Sequence, residues 1–218
     1  MNNALIQLLV LAGIAVFLIL KLRSVLGTRE GFEKPPLPPE AARPAHRPFE
    51  VIEGGPDRDI TDHAEDGSAS AKALAGMKLA EPGFTVNTFL QGARGAYEMI
   101  LMAFERGDLS QVRGFLDSDV AESFDAAIAA REAQGLTIEA NFVGLRGLKL
   151  VEATFDRDSR RAEVTVEFIG ELTSIVRNKA GEIIEGSATT VKKQRDVWTF
   201  ARTMGNADPN WQLAATSE

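Results

Sequence analysis

The sequence predicts an α+β fold: N-terminal helices packed on a curved antiparallel sheet, preceded by a single transmembrane helix and a disordered linker. Three observations lead there. Apolar residues recur at three- and four-residue spacing from Val86 to Phe104. After Gly135 the period of the pattern switches to two. An apolar run from Ala4 to Leu20 opens the chain. Helical periodicity followed by alternation marks helices and then strands, the order of an α+β domain.

The apolar run "ALIQLLVLAGIAVFLIL" is broken only by Gln7. Extended to Leu22, it approaches the ~20 residues that cross ~30 Å of hydrocarbon. Met1-Asn2-Asn3 lacks the basic side chains of a cleaved signal peptide, whereas Lys21, Arg23 and Arg29 follow the run. Residues 1–26 are therefore expected to anchor the chain in the bilayer through residues 4–22. The positive flank lies on the C-terminal side, which puts the rest of the chain in the cytoplasm by the positive-inside rule. The expected location is the inner membrane, single-pass, with the N-terminus outside.

Residues 27–82 hold eight of the nine prolines, with "KPPLPPE" and "ARPAHRPFE" the densest parts. Such composition reads as a disordered tether. Within it, "SASAKALAGMKLA" (68–80) has the makings of a short helix, read as transient or as a membrane- or chaperone-docking element.

The folded domain is placed at 83–218. Val86, Phe89, Leu90, Ala93, Tyr97, Ile100, Leu101 and Phe104 describe one face of a helix over about 84–106, stopped by Gly107. Asp108 is expected to cap a short helix with Val112, Phe115 and Leu116. Asp119 and Glu122 have capping-box spacing and would open a third helix ending at Gly135. Strands follow at 137–143, 148–155 and from Arg160 to Val176. "NKAGE" makes a turn, and further strands run over 189–202 and 210–215. Asp208-Pro209-Asn210 forms the corner between Trp198-Thr199-Phe200 and Trp211.

Composition excludes several functions. The chain has 218 residues, a net charge of −7 and no cysteine. The acidic balance argues against nucleic acid as a partner, and thiolate chemistry is absent. The two histidines, His46 and His63, both lie in the expected linker. The expected domain thus lacks the commonest general base and zinc ligand. No phosphate loop, metal cluster or cofactor motif stands out.

"FLQGARGAYEMILMAFERGDLSQVRGFLDSDVAESFDAAIAAREAQG" and "DVWTFARTMGNADPNWQLAAT" resemble the two signature blocks of the Tim44-like domain family, over about 84–216. The resemblance implies a nuclear-transport-factor-two-like cone. It also implies a membrane-associated binding module, since relatives tether a heat-shock chaperone to the mitochondrial presequence translocase or a ribosome to the membrane. This chain departs from the translocase tether in carrying its own transmembrane helix and lacking that relative's long charged amphipathic segment.

The expected function is a membrane-tethered, non-enzymatic scaffold serving protein translocation or envelope assembly. Its partner would be a translocase, a chaperone or an envelope precursor. The candidate pocket wall is Tyr97, Leu101, Phe104, Phe142, Phe168, Trp198, Phe200 and Trp211. Each is equally suited to plain core, because a domain of this size needs its aromatics to bury enough area. An alternative is a tether contacting lipid or ribosome through two basic clusters, Arg157, Arg160 and Arg161, and Lys192, Lys193 and Arg195. A pocket enzyme of the isomerase or dehydratase kind would use Tyr97 with a carboxylate. Glu98 diverges from Tyr97 by ~100° on the helix. Glu167 points to the sheet face opposite Val166 and Phe168, and Asp196 is expected either to cap or to pair with Arg195 or Arg202 across the hairpin. Exposed strand edges leave a homodimer open.

Overall fold

The computed structural model describes residues 55–217. The expected anchor and the first half of the expected linker lie outside the described residues. Among the described residues no helix is long and apolar enough to cross a membrane.

Residues 58–80, expected in a disordered linker, are folded into the domain. Asp57 caps a one-turn helix α1 (Arg58–Thr61), and Ser68 caps α2 (Ala69–Ala80), its Oγ accepting from Ala71 N at 3.1 Å. Leu74 and Met77 are fully buried, and Gly76 lies where a Cβ would meet the Phe155 ring at 2.8 Å. Polar hooks fasten the segment at several points. Ser70 Oγ accepts from Ala153 N, and the Asp59 carboxylate accepts from Val86 N at 2.8 Å and Asn87 N at 3.0 Å. Lys78 Nζ bridges Asp57 and Asp59 at 2.6 and 2.8 Å. Burial works to raise the Asp59 carboxyl, but bonds from Lys78, Asn87 and Val86 outweigh it and hold the group below its usual range.

Helix α3 (Val86–Arg106) opens on Thr85, whose hydroxyl accepts from Thr88 N, and closes at Gly107 in the left-handed region, φ 75°. The expected face is buried from Val86 through Phe89, Leu90, Ala93, Tyr97 and Ile100 to Leu101, while Phe104 at its end is half-buried. The expected second helix is one 3-10 turn, Arg113–Phe115; Asp108 caps only locally, accepting from Ser110 N. Helix α4 (Ser118–Ala133) is capped by Asp117 rather than Asp119, and Gln134 ends it before Gly135, φ 69°.

The sheet is an antiparallel meander in the order β1 (Thr137–Phe155), β2 (Arg161–Arg177), β3 (Ile183–Thr203), β4 (Gln212–Ser217). Two expected strands, 137–143 and 148–155, are one. Val143, Arg146 and Val151 are extra residues in β1, each unmatched in β2. A bulge bends the strand and shifts the phase of alternation. The pattern therefore reads as interrupted although the strand is not. Two bulged residues, Val143 and Val151, are left exposed.

The inner face of β2, Ala162, Val164, Val166 and Phe168, is fully buried in the core, with Phe168 against Tyr97 of α3. The outer face carries Glu163, Thr165 and Glu167. The 178–182 turn has Gly181 at φ 82°, a conformation that favours glycine.

Candidate functional site

The space between α3 and the sheet is filled by aromatic side chains. Tyr97 stacks on Phe168 at 4.5 Å with the ring planes 8° apart, and Trp198 and Phe142 close around Tyr97 at 4.8 and 6.1 Å. Tyr97, Phe168, Trp198 and Phe200 are all buried. The candidate wall residues therefore do not enclose one cavity. They divide between the core and two clefts on either flank of α3.

The first cleft, about 470 Å³, lies along the outside of α3. Thr88, Gly92, Gly95 and Met99 form its helical side, at the 4-3-4 spacing of a coiled-coil seam. Phe200 is the floor. The corner residues Pro209 and Asn210, with Trp211, make the far wall, joined by Phe84. Trp211 packs edge-on to Phe89 at 4.7 Å, so its ring is fixed by the core while its side faces the cleft. The corner is held by Asp208, whose Oδ1 accepts from Asn210 N at 2.9 Å.

Charge at this cleft is confined to one end. Arg202 Nη2 donates to both oxygens of Glu81, at 2.8 and 2.6 Å, and Gly205 N donates to the same carboxylate. The guanidinium holds the Glu81 carboxyl below its usual range, against the opposing effect of burial. Arg202 Nε is buried with no hydrogen-bond partner among the described residues.

The second cleft, about 360 Å³, lies between α3, α4, the middle of β3 and the end of β4. Leu101, Phe104, Phe124 and Trp198 give it apolar walls, Thr216 and Ser217 line it from β4, and Gln194 and Asp196 line it from β3. Asp196 does not pair with Arg195 or Arg202 as expected. It is 6% exposed, and it accepts from Tyr97 Oη at 2.6 Å and from Gln194 Nε2 at 3.0 Å. The alternation explains this. Asp196 faces inward with Trp198, so Arg195 faces outward, where its Nε donates to Glu167 at 2.7 Å. Burial, and then the bond to Asp196, push the Tyr97 phenol far above its usual range. Tyr97 therefore stays a neutral donor, fully buried and committed to Asp196.

A family model for the Tim44-like domain matches residues 70–218. The chain belongs to the Tim44-like domain family. The match begins inside α2, in agreement with a domain that includes this helix. No curated protein is similar enough to count as a match. Among solved structures, the intermembrane-space region of the chloroplast protein ARC6 aligns at 16% identity and a TM-score of 0.40, covering 59% of this chain and 94% of that one. Tim44-like domains are generally non-catalytic binding modules. Among the described residues no cluster of His, Asp and Glu has the makings of a metal site.

The six basic candidates of this Tim44-like domain do not form one patch. Arg157, Arg160 and Arg161 lie at the β1–β2 turn, while Lys192, Lys193 and Arg195 lie in the middle of β3. Lys192 pairs with Leu172, eleven positions along β2 from Arg161, which is roughly 35 Å at ~3.3 Å per residue. Several are engaged internally. Arg161 pairs with Glu163, Arg195 with Glu167, and Lys192 with Glu185 at 3.6 Å. Arg160, at φ 58°, donates to the Ala80 carbonyl at the end of α2.

Sequence reasoning missed Gly92, Gly95, Met99 and Arg202 in the first cleft, and Gln194 and Phe124 in the second. The glycines carried a usable signal, since two of them interrupt the middle of an otherwise strong amphipathic helix.

Proposed function

We propose that this chain is a membrane-tethered, non-catalytic binding module that receives the apolar face of a partner helix in the cleft beside α3. One observation carries the reading. Gly92 and Gly95 lie mid-helix with no atom within 4 Å of where a Cβ would be. Nothing inside the domain needs them small, although each weakens a helix by about 1 kcal/mol relative to Ala. Small residues at heptad spacing let a second helix approach closely. The aromatic wall of Phe84 and Trp211 adds the contact area typical of binding hot spots.

The apolar segment at residues 4–22 supports attachment to the inner membrane, with the domain on the cytoplasmic side. Family membership supports service in protein translocation or envelope assembly, with a translocase subunit, chaperone or envelope precursor as partner.

The test places a photo-cross-linking residue at Gly95 or Met99 in the full-length protein in its own membrane, with Thr165 on the outer sheet face as control. Expected is a discrete adduct from the cleft positions that disappears when Gly92→Leu fills the groove without changing the melting temperature. Equal capture from Thr165, or adducts indifferent to Gly92→Leu, overturns the reading. Extraction of the full chain by alkaline carbonate would independently remove the membrane anchor from it.

A further inference from the structure

We propose that the second cleft is a binding site for a small organic cation: an alkylammonium group held by the Asp196 carboxylate and the aromatic walls beside it. The site is separate from the groove under Gly92 and Gly95, and the two inferences fail independently.

Asp196 is 6% exposed, and its two known partners, Tyr97 Oη and Gln194 Nε2, are both neutral donors. A carboxylate offers about four acceptor sites; here one bond reaches each oxygen. Among the described residues no Lys, Arg or His comes within ion-pair distance of Asp196. The cation adjacent in sequence, Arg195, is turned through the sheet to Glu167. Arg131 on α4, whose guanidinium carbon lies 5.5 Å from the Phe104 ring centroid, donates to the Phe104 carbonyl instead. A buried carboxylate without a cation is costly, and proteins pair such groups or neutralise them. Two other carboxylates of this domain that are shielded from solvent do have a cation: Glu171 is paired with Arg146 at 2.7 Å and Glu81 with Arg202.

The chemistry of the cleft selects the class of cation. One carboxylate gives too few oxygen ligands for calcium or magnesium, which take six or more. The rings of Phe124 and Trp198 favour a cation that carries its own hydrocarbon and is weakly hydrated, the Phe104 ring already lying under the Arg131 guanidinium. An alkylammonium fits both halves of the lining: the charge at Asp196, the carbon chain against Leu101 and the rings. The cleft's volume, about 360 Å³, holds a head group with a chain of a few carbons. Tyr97 acts as a positioning residue, its hydroxyl fixing Oδ2 and leaving the remaining lone pairs turned to the cleft.

The experiment is calorimetric titration of the full chain in non-ionic detergent with n-butylammonium chloride and with n-butanol, which has the same length and no charge. Butylammonium is expected to bind saturably and at least tenfold more tightly than butanol. Asp196→Asn, whose amide oxygen still accepts from Tyr97, is expected to weaken butylammonium at least tenfold while leaving butanol unchanged. Phe124→Leu, at a half-buried wall position, is expected to weaken it several-fold. Nα-acetyl-lysine methylamide separates the sources of the head group: effective competition assigns a polypeptide lysine, and its failure assigns a free amine. Equal binding of butylammonium and butanol, no binding of butylammonium, or a folded Asp196→Asn of unchanged affinity overturns the proposal. Should Asp196→Asn fail to fold, unchanged affinity in Phe124→Leu overturns it.

Discussion

The two clefts share one helix and differ in what they leave unfinished. On the outer side of α3 the charges are settled, Glu81 against Arg202, and what is missing is volume in front of Gly92 and Gly95. On the other side the volume is bounded by aromatic rings, and what is missing is a positive charge beside Asp196. A 3.6-residue repeat gives one helix several faces. Here the stripe through Ala93, Tyr97 and Ile100 builds the core, and its two borders build surfaces of opposite character. An incomplete apolar surface and an incomplete charge pair call for different occupants.

The sharpest way to break the comparison is to remove the ring that serves both core and second cleft. Trp198→Ala is expected to destabilise the domain by about 3–5 kcal/mol, because Trp198 is buried against Tyr97 and Phe168. Denaturant unfolding checks this; a loss under about 1 kcal/mol would make Trp198 a cleft wall rather than core. Leu74→Ala comes next, at about 2–4 kcal/mol, if α2 is as integral as its burial says. A transient helix in a tether would lose almost nothing.

Leu74 also shows where the sequence misleads. The segment 69–80 buries Ala71, Leu74, Gly76 and Met77, two of them too small to register as apolar pattern, and it follows a long Pro-rich stretch. Tight packing of small residues leaves little amphipathic signal, so the helix was readable but its membership in the core was not. Helix α3 and the β2–β3 pairing were legible because large side chains repeat at 3.6 and at 2. The cap of α4 was misplaced by two residues because Asp117 and Asp119 are both competent caps, and contact with β4, where Asp117 N donates to Leu213 O, favours the first. The Tyr97–Asp196 pair joins residues 99 apart in sequence, which no local pattern encodes. The basic clusters were legible as residues and not as partners, since cross-strand register decides which carboxylate each one meets.

A smaller effect sharpens the account of the first cleft. Glu81→Gln is expected to cost about 1–2 kcal/mol at neutral pH, by leaving the buried Arg202 guanidinium without its counter-charge. The Glu81 carboxyl is held below its usual range in the folded state. Its contribution is therefore complete above the unfolded value near 4.5 and is lost as pH falls through the lower folded value. Melting temperatures from pH 7 to pH 3 should fall less steeply in Glu81→Gln than in the parent protein. Parallel slopes would contradict the assignment.

The smallest effect has the opposite sign. Gly95→Ala is expected to stabilise the isolated domain by about 0.5–1 kcal/mol, since its Cβ enters open space and the helix gains propensity. The same change should weaken the photo-adduct from Met99. A destabilised Gly95→Ala would show that the glycine serves the fold itself.

The hooks on α1 and α2 have a mechanical consequence. A pull on the chain at Gly55 does not reach the sheet first. It meets the Asp59 carboxylate, which is bonded to the first two amides of α3 and to Lys78, and then α2, pinned through Ser70 to β1 and through Glu81 to Arg202. Each of these attachments stands between the pull and the sheet. A domain pulled from its N-terminal side thus keeps both clefts in shape until α2 itself is torn away.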